Sequence, residues 1–160
     1  MEIIEHRWTA TEYQDLSEIE DVYQRLIQAA MDKTSESYSP YSRYAVGAAV
    51  LLEDGSYVSG ANQENASYPL CRCAESVALS SASAMYPDIK IIAMAVAVHH
   101  KGTFTHDPAS PCGACRQIIR EQEDRYGGDI AIYMYGRSKI VMINSVQRIL
   151  PMSFNGTSLK

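Results

Sequence analysis

Two cysteine motifs constrain this chain more than anything else in it: Cys73-Ala74-Glu75, and Pro111-Cys112-Gly113-Ala114-Cys115-Arg116 farther along. Cys112 and Cys115, three apart at the start of a helix, share one face and can grip a single metal ion. Cys73, brought in at a second helix, adds a third thiolate and leaves one tetrahedral corner open, where water binds and reacts. The fold must therefore bring two helix N-termini to one point. There, exposed N–H groups and the positive dipole end favour thiolate over thiol. Glu75 stands one residue past Cys73 across Ala74, placed to handle a proton rather than to ligate. The pattern reads as a catalytic zinc site. A structural zinc knuckle is the competing reading, since Cys71 can be counted as a fourth ligand. It leaves Glu75 idle, and Cys71 sits only one residue from Cys73.

These four cysteines are the only ones in the chain. A disulfide framework is disfavoured, because 160 residues suffice for one domain with a real core and the first residues carry no secretion signal. A soluble cytoplasmic protein is the expectation. The longest apolar run, Ile91 to Val98, is too short to span a bilayer, so no membrane partner is expected. A formal net charge of −5 gives no footprint for nucleic acid, which calls for a basic patch and, for single strands, aromatic platforms.

Apolar residues at helical spacing from Glu20 to Lys33 predict an amphipathic helix, with residues 1–19 left as an extension. Tyr44 to Leu52 is a near-continuous apolar run, as in a strand buried on both faces. Glu53-Asp54-Gly55-Ser56 turns it into a second strand over Tyr57 to Ala61. A polar cluster, Asn62-Gln63-Glu64-Asn65, follows. Cys73 to Met85 predicts a helix stopped by Pro87, Ile91 to Val98 a buried strand, and His99 to Ser110 a polar loop. Pro111 opens a further helix that ends at Gly127-Gly128, with the charges between Arg116 and Arg125 on a solvated face. Strands over Ile130 to Tyr135 and Lys139 to Ile143, then a short capped helix from Asn144 to Leu150, complete the order. The expectation is α/β, a three-layer α/β/α sandwich around a mixed five-stranded sheet, with residues 20–155 forming the catalytic domain.

From about Glu20 to Phe154 the chain resembles the small zinc-dependent cytidine deaminases, homotetrameric and of the three-cysteine type. The resemblance rests on five blocks in order: Tyr38-Ser39-Pro40-Tyr41-Ser42-Arg43-Tyr44-Ala45-Val46-Gly47-Ala48, Gly60-Ala61-Asn62-Gln63-Glu64-Asn65-Ala66, Cys73-Ala74-Glu75, Ser110 to Gln117, and Leu150-Pro151-Met152-Ser153-Phe154. It implies one Zn2+ per chain on Cys73, Cys112 and Cys115, with Glu75 as proton shuttle. It also implies Asn62 and Glu64 on the ribose 3′-hydroxyl, Tyr44 where relatives stack Phe on the pyrimidine, and the backbone of Ala74 and Ser110 on the base edge. The substrate would be free cytidine or deoxycytidine, in pyrimidine salvage. Tyr68 and Phe154 would reach into a neighbouring subunit's site. On residue chemistry alone, Asn62 and Glu64 are an ordinary polar loop and Tyr44 is core. Two other functions stay open: deamination of another small aminopyrimidine nucleoside of the blasticidin type, and a catalytically weak zinc-stabilised binding subunit.

One departure bears on the chemistry. The family carries Arg directly after the catalytic Glu, where it offsets the charge of the thiolates; here the residue is Ser76. Arg72 and Arg116, each next to a ligand, are the candidates to replace it. Without replacement, the bound water is less acidic and the pH–rate profile moves to higher pH.

Overall fold

Side chains of the two central strands alternate between two buried cores, and that alternation sets the layering. In β2 (Tyr44–Leu52), Ala48, Val50 and Leu52 point to one core; Ala49 and Leu51 point to the other. In β4 (Ile91–His100), Met94 and Val96 join the first, and Ala93, Ala95 and Ala97 the second. Both strands therefore need cover on two faces. Helix α1 (Asp21–Lys33) supplies it on one side with Leu26, Ile27 and Ala30. On the other side lie α2 (Ala74–Met85) and α3 (Gly113–Tyr126), with Ala78, Leu79, Ala82 and Ile119. The structure, a computed structural model, describes residues 1–159, and it is the expected three-layer α/β/α sandwich.

The sheet has seven strands rather than five. Completed by β3 (Tyr57–Ala61), β6 (Ala131–Tyr135), β7 (Ile140–Ile143) and the short β1 (Thr11–Tyr13), its order is β1-β7-β6-β4-β2-β3. Only β4 and β6 run parallel; the other pairs are antiparallel. The N-terminal extension thus contributes β1 along the β7 edge, tied outside the ladder by Lys139 and Glu12 at 2.7 Å. The seventh strand is β5 (Thr103–Phe104), which folds back on the end of β4 through Lys101 and Gly102. Both turn residues have positive φ, +54° and +84°, the geometry of a primed hairpin turn, normally announced by Asn-Gly. A lysine there, and strands of three and two residues, conceal both additions in the sequence.

Three smaller differences concern termini and one charge. Pro111 lies outside α3: Cys112 is the N-cap residue, and Gly113 is the first helical one. The helix over 144–150 shrinks to a single 3-10 turn, Val146–Arg148, capped by Ser145 Oγ, which accepts from Gln147 N at 3.2 Å. The charged stretch of α3 is not wholly a solvated face, because Glu123 is buried. Its carboxylate accepts from Ile130 N at 3.2 Å, Val146 N at 3.0 Å and Ser145 Oγ at 3.1 Å.

No helix among the described residues is long and apolar enough to cross a membrane.

Candidate active site

Strand register brings several loops to one end of the sheet. The start of β2 pairs with the ends of β3 and β4, with Gly47 opposite Ala61 and Val46 opposite Val98. The N-termini of α2 and α3 open at this same end. Gly60 in β3 lets α2 approach closely: a Cβ there would lie 2.6 Å from Ala78 N and 2.9 Å from Ala74 O. Polar clamps hold α3 instead, through Glu123 and through Arg116 and Gln117 in its first turn.

At the meeting point the three predicted thiols come together. Cys73 Sγ is 4.0 Å from Cys112 Sγ, which is 3.5 Å from Cys115 Sγ, and all three lie within 4.8 Å of one another. Sulfurs on one tetrahedral zinc, each bonded at about 2.3 Å, stand about 3.8 Å apart, so the trio is already close to ligand geometry. Cys115 is buried, while Cys73 and Cys112 are exposed toward the cleft. Hydrogen bonding from Cys115 holds the Cys73 thiol down to about 6, and the same pairing, with burial, pushes Cys115 up. Cys71 stands apart from the cluster: its Sγ accepts from Asn65 N at 3.2 Å. The fourth corner is left free of a fourth cysteine.

Glu75, in the first turn of α2, is buried, and that burial pushes its carboxyl up from the ordinary value. A carboxyl that holds its proton more tightly than usual, beside an open metal corner, is suited to taking a proton and returning it. Ala74 is fully buried just before it, with its backbone at the helix start.

The cysteines and Glu75 open onto a cleft of about 520 Å³. Its walls include Tyr44, Asn62, Glu64, Arg72 and Ser110, and its floor is Val46, Val96 and Val98. Glu64 Oε2 accepts from Tyr41 N at 2.9 Å and Ser42 N at 3.3 Å, and hydrogen bonding with Ser42 holds its carboxyl below the ordinary range. That turn depends on Arg43, at φ +56°, whose carbonyl accepts from His100 Nδ1–H at 2.9 Å. Asn62 is heavily used within the protein. Its Oδ1 accepts from Val46 N at 2.8 Å and from the Ser37 hydroxyl, and its Nδ2 donates to Tyr44 O at 2.9 Å, leaving one N–H to spare. Tyr44 is partly exposed, with its ring 5.5 Å from that of His100. The valine floor gave no separate signal, because strand residues facing a cleft and strand residues facing a core share one pattern.

The remaining predicted residues divide. Tyr68 and Phe154 are 71% and 64% exposed, away from the cleft of their own chain. Arg72 lines the cleft, and its guanidinium has no hydrogen-bond partner among the described residues. Arg116 is directed at oxygen: Nε donates to Pro111 O at 2.8 Å, Nη1 to Ile149 O at 2.9 Å and Nη2 to Ser110 Oγ at 3.0 Å.

A family model, the cytidine and deoxycytidylate deaminase zinc-binding region, matches residues 20–126. The chain belongs to that family. A cytidine deaminase of Halalkalibacterium halodurans is 38% identical over 136 residues, 85% of this chain and 96% of the relative. One from Sporosarcina psychrophila is 34% identical over 85% of this chain and 93% of its own. Among solved structures, cytidine deaminase from Burkholderia pseudomallei superposes with a TM-score of 0.70 at 37% identity, covering 82% of this chain and 98% of that one. Family and geometry agree on the cofactor: the three thiols take one zinc ion per chain.

Proposed function

We propose that this protein hydrolyses free cytidine and deoxycytidine to uridine and deoxyuridine, with release of ammonia. The observation that carries the reading is the joining, at one end of the sheet, of a three-sulfur metal site to a buried carboxyl and an apolar-floored cleft with an anionic rim. Zinc, when bound, supplies an acidified water at the corner the cysteines leave open. Glu75 takes the proton of the attacking water, gives it to the ring nitrogen, and later serves the departing ammonia. Val46, Val96 and Val98 accept the flat ring, Tyr44 stacks on it, and the backbone of Ala74 and Ser110 reads its edge. Glu64 and the spare N–H of Asn62 hold the ribose 3′-hydroxyl. Glu64, kept ionised by two amides, suits an unphosphorylated sugar.

The catalytic domain spans residues 20–155, with residues 1–19 as an extension that lends β1 to the sheet. The active form is a homotetramer in which exposed Tyr68 and Phe154 enter neighbouring sites, working in cytoplasmic pyrimidine salvage without nucleic-acid or membrane partners. Relatives' printed names support the substrate, and the exposure of those two aromatics supports the assembly.

The test is loss of nucleoside absorbance when purified protein meets cytidine or deoxycytidine, alongside sedimentation analysis. Conversion of both nucleosides by a tetramer is expected. Zinc-loaded protein inert toward both would overturn the reading in favour of a binding subunit.

A further inference from the structure

Arg116 directly follows the buried ligand Cys115, and its guanidinium is committed to three oxygens rather than to sulfur. Two of these, Pro111 O and Ser110 Oγ, belong to the segment that enters Cys112. The third, Ile149 O, belongs to the segment beyond the 3-10 turn. Gln117 repeats the arrangement one residue on, with Nε2 donating to Phe154 O at 2.9 Å. No hydrogen bond from Arg116 reaches a thiol among the described residues.

We infer that Arg116 is a positioning residue: its planar fork fixes the Ser110–Cys112 segment against α3 and the C-terminal segment, so that the cleft wall and one sulfur ligand are pre-set together. This inference rests on the proposed function only for its kinetic readout. The segment needs such a fastener. Ser110 and Cys112 are exposed at the cleft, and Pro111 has no N–H with which to anchor itself. Lysine cannot reproduce the role, because it offers one ammonium centre where three acceptors lie around a rigid plane. The guanidinium has no acceptor, so Ser110 enters the bond as acceptor and keeps its O–H to donate elsewhere.

The fork and the charge can be separated experimentally. Arg116→Lys keeps the charge and loses the fork; Arg116→Gln loses both. In the full-length zinc-loaded protein, each variant is expected to release zinc to excess chelator about tenfold to a hundredfold faster than the parent. Each should also raise KM for cytidine more than it lowers kcat, with the midpoints of the pH–rate profile unmoved. Zinc release and KM restored to parental values by Arg116→Lys would overturn the inference, as would a pH profile shifted in Arg116→Gln and restored in Arg116→Lys. Those results would make Arg116 a charge compensator.

Should either substitution prevent folding, the parent protein still decides. The Arg116 Nε–H resonance should exchange with solvent far more slowly than those of exposed arginines, and equal exchange would overturn the inference. A parent that binds zinc but leaves cytidine unchanged would remove the proposed function while the zinc-release comparison stood.

Discussion

The two helix N-termini that build the metal site are held in place by opposite means. The α2 end, with Cys73, Ala74 and Glu75, is seated by close packing: Gly60 leaves room for its backbone, and Ala74, Ala78 and Ala82 are essentially without exposed surface. The α3 end, with Cys112 and Cys115, is held by hydrogen bonds that Arg116 and Gln117 donate to loop oxygens, and farther along the helix Glu123 accepts from two amides and a hydroxyl. Packing suits the helix that buries the Glu75 carboxyl, because the same small residues exclude water and raise its pKa. Hydrogen bonds suit the helix approached by two irregular segments, whose polar backbone groups need partners anyway. One site thus rests on two kinds of precision, and substitutions at the two ends should fail differently.

The largest effect is expected at the packed end. Glu75→Gln should lower kcat by about a thousandfold or more while one zinc per chain is retained, since in the proposed mechanism the carboxyl moves protons and does not ligate. Activity and metal analysis on one preparation check this. Zinc lost together with activity would break the division of labour.

Next come the supports themselves. Glu123→Ala strands buried amides of Ile130 and Val146 and should cost about 3 kcal/mol in urea unfolding. Gly60→Ala forces α2 off the sheet; about 2 kcal/mol of destabilisation is expected, with kcat falling because Glu75 rides on that helix. If the two ends differ as described, stability relative to activity suffers more in Glu123→Ala than in Gly60→Ala.

A smaller effect sharpens the electrostatic side. Arg116 gives its hydrogen bonds to neutral oxygens, and Arg72 lines the cleft without a hydrogen bond to a thiol among the described residues. Ser76→Arg should move the acid-side midpoint of the pH–rate profile down by about one unit, because an added positive charge favours loss of a proton nearby. An unchanged midpoint would mean that the existing charge balance already suffices.

Legibility in the sequence followed the same division. The thiol trio and Glu75 could be read directly, since spacing and helix-start signals at Cys73 and Pro111 leave few ways to arrange them. The buried runs of β2 and β4 also disclosed a sheet covered on two faces. Hydrogen-bonded support was harder to see. Glu123 lies in a charged stretch whose helical periodicity resembles a wet face, and only the fold brings Ile130 and Val146 to it. Arg116, adjacent to a ligand, suggested charge balance until its acceptors were in view. The roles of Asn62 and Glu64 came from resemblance; that Asn62 also pins β2 through Val46 N and Tyr44 O needs the turn at Arg43, which a positive φ on arginine does not advertise. Strands β1 and β5 are too short for alternation to show.

X-ray absorption at the zinc edge of freshly purified protein tests the central claim most directly. Three sulfur neighbours at about 2.3 Å and one light oxygen-type neighbour are expected, the fourth position lost to none of the chain's own groups. Four sulfur neighbours, with Cys71 drawn in, or protein isolated without zinc, would contradict it.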